Sequence, residues 1–227
     1  MTICEAMSAR HSVRQYEDKP IEAEKIAALE AEIAACNKES GLHIQLVKNE
    51  PKAFDGFMAH YGKFSGVKNY IALIGPKGAG LDELCGYYGE RVALLAQTLG
   101  LNTCWVAMTY SKIKSAFTVA PGEKLTVVIA LGYGKTQGTA HKSKAISDVT
   151  KVEGTMPDWF RKGAEAALLA PTAMNQQKFT LTLEPNGRVS AKAGTAFYSK
   201  VDLGIVKYHF TLGAGAENFA WANGDKK

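Results

Sequence analysis

Residues 81–105 read LDELCGYYGERVALLAQTLGLNTCW, and their reading decides the fold class. Leu81, Leu84, Tyr88, Val92, Leu95 and Leu99 recur at helical spacing over about five turns. Asp82 and Glu83 suit the positive end of that helix's dipole, and Gly100 suits its C-cap. The uncharged stretch from Val92 to Ser111 has the 20 residues of a bilayer span. Gln97, Thr98, Gly100, Asn102 and Thr103 interrupt it, at a hydropathic cost that argues against insertion. The stretch therefore reads as a helix feeding a strand at Thr103–Ala107, with no membrane span.

Working outward, Leu125–Leu131 is a continuous apolar run, as expected of a strand covered on both faces. On the N-terminal side, Thr2-Ile3-Cys4-Glu5 forms a capping box for a short helix. Pro20 opens a second helix with Ile26, Leu29 and Ile33 on one face. His43–Val47 alternates like a strand, and a helix after Asn49 sets Phe54, Phe57, Met58 and Tyr61 on one face. Tyr70–Ile74 reads as a short buried strand. Gly134 to Thr155 is polar and irregular, a linker or a ligand loop. Beyond it come a helix at Asp158–Leu169, a loop at Pro171–Gln177, a hairpin turning on Asn186-Gly187 and a last helix from Asp202 to Trp221. Gly89 and Gly100 are spaced like Gly204 and Gly215, with Leu95 matched by Phe210, which raises the question of an internal duplication.

The chain has 227 residues, 46% apolar and 22% charged. That composition excludes disordered, collagenous and disulfide-dense classes, and the length allows one core or two halves sharing one. Cys4, Cys36, Cys85 and Cys104 form no Cys-x-x-Cys and are expected reduced and buried. The five histidines show no metal-ligand spacing, so no metal is expected. The opening MTICEAMSAR has no signal-peptide pattern, giving a cytoplasmic expectation. Net charge is +5. The basic residues are scattered, with no basic recognition helix, which suits an anionic small ligand and not nucleic acid.

Gly132-Tyr133-Gly134-Lys135-Thr136 lacks the spaced glycines of a P-loop or dinucleotide fingerprint. Glu90 and Arg91 form either a functional pair or a structural one. Two clusters remain. In an extended Arg10-His11-Ser12-Val13-Arg14, the side chains of Arg10, Ser12 and Arg14 share one side, two guanidinium forks and a hydroxyl suited to a phosphate or carboxylate. Ala170-Pro171-Thr172-Ala173-Met174-Asn175-Gln176-Gln177 joins small residues to hydroxyl and amide groups, a loop able to approach a flat ring closely. Taken alone, each also suits an ordinary solvated turn or a helix-ending loop.

Arg10–Arg14 with Tyr16, Asp18, Pro20 and Ile21 resembles the opening motif of the FMN-dependent nitroreductase superfamily. Pro171–Gln177 is similar to that family's Pro-Ser-Ala-x-Asn-x-Gln loop, and Leu99–Trp105 to its Leu-Gly-Leu-Gly-Thr-Cys-Trp turn. The motif order departs from the usual one. Ala35-Cys36-Asn37-Lys38-Glu39, where the loop would ordinarily fall, has lost the proline and the Ser-Ala pair, and the loop stands in the second half. The chain thus resembles the single-chain, Thermotoga-type branch in which one polypeptide stands for a homodimer.

The resemblance implies an α+β fold with a central, mainly antiparallel sheet flanked by helices. It implies two halves, 1–150 carrying the phosphate anchor and 151–227 supplying the loop, acting as a monomeric pseudo-dimer. Arg10, His11, Ser12 and Arg14 would hold the FMN phosphate, with Lys142 and Lys144 adding charge. Val106, Ala107 and Met108 would offer backbone N–H groups to the N5 and O4 edge, and Lys63 would face N1 and O2. Pro171, Thr172, Ala173, Met174 and Asn175 would close the site. Lys178 and Phe179 replace the family's proline and tryptophan. The implied activity is NAD(P)H-dependent two-electron reduction of nitroaromatics, quinones or similar small acceptors, with chemistry on the flavin and no catalytic side chain. The alternative is a non-catalytic FMN-binding or redox-sensing protein.

Overall fold

The computed structural model describes residues 1–222. Thr2 caps α1 (Ile3–Ala9) through the expected box: Glu5 N donates to Thr2 Oγ1 at 3.2 Å, and Thr2 N to Glu5 Oε2 at 2.8 Å. Arg10 ends the helix in extended backbone, φ −74° and ψ 117°. Helix α2 spans Ala23–Ser40, starting after Glu22 and not at Pro20, and ends at Gly41 with φ 73°.

The main sheet is antiparallel throughout, in the order β1 (Gln45–Val47), β2 (Asn69–Pro76), β4 (Glu123–Gly132), β3 (Asn102–Val106). Alternation in β2 and β4 divides the interior in two. Ile71, Leu73, Val127, Ile129 and Leu131 pack beneath the helices, while Tyr70, Ala72, Ile74, Val128 and Ala130 face a second cluster with Phe54, Phe64 and Phe117. That two-sided cover explains the uninterrupted apolar run in β4.

Helix α3 (Phe57–Tyr61) is a single short turn preceded by a 3-10 turn at Pro51–Phe54. Of the four side chains expected on its buried face only Phe54 is buried; Phe57, Met58 and Tyr61 are exposed. A five-residue helix shows too little length to turn all four toward one core. Cys4 is likewise exposed, whereas the other three thiols are buried and free.

Helix α4 (Leu81–Thr98) runs beneath the sheet. Ile146–Val149 (α5) leads directly into β5 (Thr150–Lys151), which pairs in parallel with β6 (Phe179–Leu183); β6 continues through the Asn186–Gly187 turn to β7 (Val189–Ala193). Helices α6 (Asp158–Ala167) and α7 (Ser199–Ala214) complete the second layer. The last helix starts three residues earlier than expected and stops at Gly215, φ 79°; Trp221 instead bridges to Val189.

α4 and α7 cross at glycines. A Cβ on Gly86 would collide with the Val201 carbonyl oxygen and stand 3.0 Å from Gly204 Cα. A Cβ on Gly204 would collide with the Glu83 carbonyl oxygen and stand 2.7 Å from Tyr87 N. Each glycine meets the carbonyl three residues before the other, a reciprocal, locally two-fold contact. The glycine opposite Gly204 is thus Gly86. Gly89 instead faces Trp105 and Leu73, so the spacing read from sequence has the wrong register. Among the described residues no helix is long and apolar enough to cross a membrane, and no His/Cys/Asp/Glu cluster could hold a metal.

Candidate functional site

The segment after α1 is extended because it docks on the sheet. Ser12 bridges in parallel to Thr103, and Val13 N donates to the Thr103 carbonyl at 3.1 Å. Val13 is buried, and Arg10, Ser12 and Arg14 line one cavity as the alternation predicts, but His11 lines it too. Asn102 then ties the loop after β4 to this segment: its Oδ1 accepts from Gly134 N at 2.9 Å and its Nδ2 donates to Gln137 Oε1 at 3.0 Å. Gly134 N is thereby committed to a side chain, consistent with the absence of a phosphate loop there. The loop brings Thr139 and His141 against Arg10–Arg14.

These residues enclose a polar cavity of about 240 Å³, lined by Arg10, His11, Ser12, Arg14, Thr139 and His141 on one wall and by residues of the 171–175 loop on the other. Arg10 is buried; its Nε lies 3.4 Å from Glu90 Oε1, and its Nη1 has no hydrogen-bond partner. A buried cationic donor without an acceptor is costly, and it marks a place for an anion. Burial, Arg10 and His141 together hold the His11 imidazole below its usual range.

A second, largely apolar cavity of about 310 Å³ adjoins the first and shares Ser12, Arg14, Pro171, Thr172 and Met174 with it. Its floor is the end of β3 and the turn beyond, Trp105 to Thr109; its far wall comes from α7, with Val201, Asp202 and Ile205. Together the two cavities form one cleft with a cationic end and an apolar end, within the size range of small-ligand sites. It admits an amphipathic ligand with a flat body and an anionic terminus.

The 171–177 loop is held by Asp202, which the sequence did not mark, and by its own Gln177. Asp202 is buried; its Oδ1 accepts from Ala173 N at 3.0 Å and its Oδ2 from Gln176 Nε2 at 2.6 Å. Gln177, buried with φ 44°, binds Lys144 N through Oε1 at 2.9 Å, and its Nε2 donates to the Lys142 carbonyl at 2.8 Å and to Asn175 Oδ1 at 2.7 Å. Its main-chain N–H donates to Thr172 Oγ1 at 3.0 Å. Gln177→Ala should therefore cost about 2–3 kcal/mol, since it strands several buried partners; urea denaturation measures the loss, and an unchanged midpoint would deny Gln177 this role.

Several expected positions are corrected. Lys63 is exposed with φ 62° at the end of α3 and lines neither cavity. Lys142 meets the site only through its carbonyl, which accepts from Asn175 Nδ2 at 2.9 Å. The Lys144 ammonium is bound by the Gln177 carbonyl at 2.9 Å and lines neither cavity. The arginines that line the polar cavity are Arg10 and Arg14. Asn175 lines the polar cavity and not the apolar one, because its amide is tied to Lys142 and Gln177. Val106, Ala107, Met108, Pro171, Thr172, Ala173 and Met174 line the apolar cavity as expected. Arg91 does not pair with Glu90; it binds Glu32 and Glu39 on α2.

Burial pushes the Asp202 carboxyl up to about 6, against the hydrogen bonds from Gln176 and Ala173 that pull it down. A raised carboxyl favours the fold with its proton bound, so its contribution is fully present below about pH 4 and is lost as pH rises through about 6. Compared with Asp202→Asn, wild-type stability should fall by about 2–3 kcal/mol between about pH 4 and pH 7. Denaturation midpoints across that range measure it; parallel curves for the two proteins would contradict it.

The family model described as putative TM nitroreductase matches residues 2–214. A solved structure described as a putative nitroreductase from Thermotoga maritima is similar with a TM-score of 0.66 at 23% identity, over 99% of this chain and 91% of that one. A putative NADH dehydrogenase/NAD(P)H nitroreductase from Parabacteroides distasonis gives 0.51 at 22% identity, over 65% of this chain and 95% of that one. A putative nitroreductase from Desulfovibrio desulfuricans, solved in complex with FMN, gives 0.49 at 18% identity over 69% and 99%. No curated protein matches the chain significantly.

Proposed function

The chain belongs to the family described as putative TM nitroreductases, and from that premise we propose that it is an FMN-containing oxidoreductase that uses NAD(P)H to reduce small acceptors such as nitroaromatics or quinones. The observation that carries this reading is the two-ended cleft, with Arg10, Ser12 and Arg14 lining its polar end.

The residues suit FMN. Arg10, Ser12 and Arg14 would bind its phosphate, the guanidinium forks and the hydroxyl supplying donors. Trp105–Met108 and Pro171–Met174 would hold the ring system between them. FMN held there would supply the two-electron redox chemistry between NAD(P)H and the acceptor. The chain's part is to anchor, orient and exclude water. Val106, Val127 and Ile205 keep the inner wall apolar, and Asp202 fixes the loop that faces it. Exposed Met108, Met174 and Phe197 rim the cavity, leaving room for a flat acceptor.

The pairing of an arginine motif from the first half with a loop from the second, around the reciprocal α4–α7 crossing, supports a monomer that acts as a pseudo-dimer. The purified protein is expected to take up FMN, to bleach with NADH or NADPH and to recover its yellow colour with a quinone. Flavin uptake without bleaching by either nucleotide would leave a flavin binder and contradict the enzyme reading.

A further inference from the structure

Behind the polar cavity lies a cluster that the redox reading does not use. Glu90, in α4, is fully buried. Its Oε2 accepts from Trp105 Nε1 at 2.8 Å, and its Oε1 lies 3.0 Å from His209 Nε2 and 3.4 Å from Arg10 Nε. The other ring nitrogen of His209, Nδ1, lies 3.1 Å from the Ala166 carbonyl oxygen at the end of α6. His209 is itself fully buried.

Both neighbours of the ring are acceptors. A carbonyl oxygen cannot donate, and a neutral imidazole has a single N–H, so one contact would set lone pair against lone pair in a dry interior. Both are satisfied when the ring carries two protons. Moving the proton to Glu90 would instead leave the buried Arg10 guanidinium, 3.4 Å from Oε1, without its counter-charge. Burial pushes the Glu90 carboxyl up, but Arg10, His209 and Trp105 together bring it below its ordinary range. Of the neighbouring groups, burial holds the Tyr208 phenol well above its usual range, and Lys207 is paired with Glu83 at 2.7 Å.

We propose that His209 is held as an imidazolium, so that two cations share the Glu90 carboxylate and one positive charge is left over, presented through Arg10 to the phosphate of the ligand. His209 is then a positioning residue from the second half for an anion bound by the first. The inference rests on the phosphate reading of the polar cavity. It sets two buried cations against one buried anion, an imbalance that a bound phosphate would relieve.

Two measurements test it. Nitrogen-15 NMR of histidine-labelled protein near pH 7.5 should show His209 with both nitrogens protonated; a neutral tautomer overturns the proposal. Titration with FMN and with riboflavin, which lacks the phosphate, should show wild type preferring FMN. His209→Gln, which keeps one donor for Glu90 without the charge, should weaken FMN about tenfold and leave riboflavin unchanged. An equal fall for both ligands, or no fall for either, overturns the proposal. A wild type indifferent to the phosphate defeats the phosphate reading instead, while the NMR result still judges His209. Should His209→Gln not fold, the wild-type spectrum decides.

Discussion

Arg10→Ala is expected to weaken FMN binding by about 1.5–3 kcal/mol, the value of a charge-assisted hydrogen bond, or roughly tenfold to more than a hundredfold. Riboflavin affinity should change far less. The argument lies in the Arg10 guanidinium, which lines the polar cavity together with Ser12 and Arg14 and has no hydrogen-bond partner at Nε or Nη1. The same substitution takes away a cation beside Glu90, which keeps only His209 and Trp105. Because His209 still faces Glu90, the stability lost should stay well below the about 3–5 kcal/mol of a stranded buried charge. Fluorescence titration with the two flavins, together with a urea curve for the apoprotein, separates the two effects. FMN affinity equal to wild type would move the phosphate elsewhere.

Gly86→Ala should be among the most damaging single methyls in the protein. The added Cβ would enter the Val201 carbonyl oxygen, and because the obstacle is backbone on both sides of the crossing, no side chain can swing aside. Overpacking of this kind costs at least about 3 kcal/mol where the helices must separate. Gly204→Ala should cost as much, since the contact is reciprocal: its Cβ would meet the Glu83 carbonyl. Gly80→Ala, in open space at the start of α4, serves as the control and should shift stability by no more than about 0.5 kcal/mol. Thermal and urea unfolding of the three variants measure the difference. Gly86→Ala with wild-type stability would show that the helices cross elsewhere.

The fold was legible where pattern and burial coincide. The run in β4 is apolar because both its faces are covered, and α4 announced itself by its stripe, its acidic first turn and Gly100 beyond its end. The short alternation of Arg10, Ser12 and Arg14 was readable because extended backbone has period two, and Ser12 does pair beside β3. What remained hidden is non-local. Glu90 and His209 stand 119 residues apart and meet only because α4 and α7 cross. Nothing in the local sequence distinguishes Asp202 from any acidic residue in the first turn of a helix, yet it holds the 173–176 loop. Lys142 and Lys144 look like a basic stretch, but Gln177 reaches across to claim one carbonyl and one amide of that stretch. The glycine spacing suggested two similar helices and missed the register, because sequence spacing within a helix does not say which turn faces the partner.

The most direct test of the central claim is a crystal structure of the protein loaded with FMN. The phosphate should accept from the Arg10 guanidinium and lie beside Ser12 and Arg14, with the ring between the Trp105–Met108 segment and the Pro171–Met174 loop. A flavin bound outside this cleft, or lying in it with its phosphate turned away from Arg10, would contradict the account.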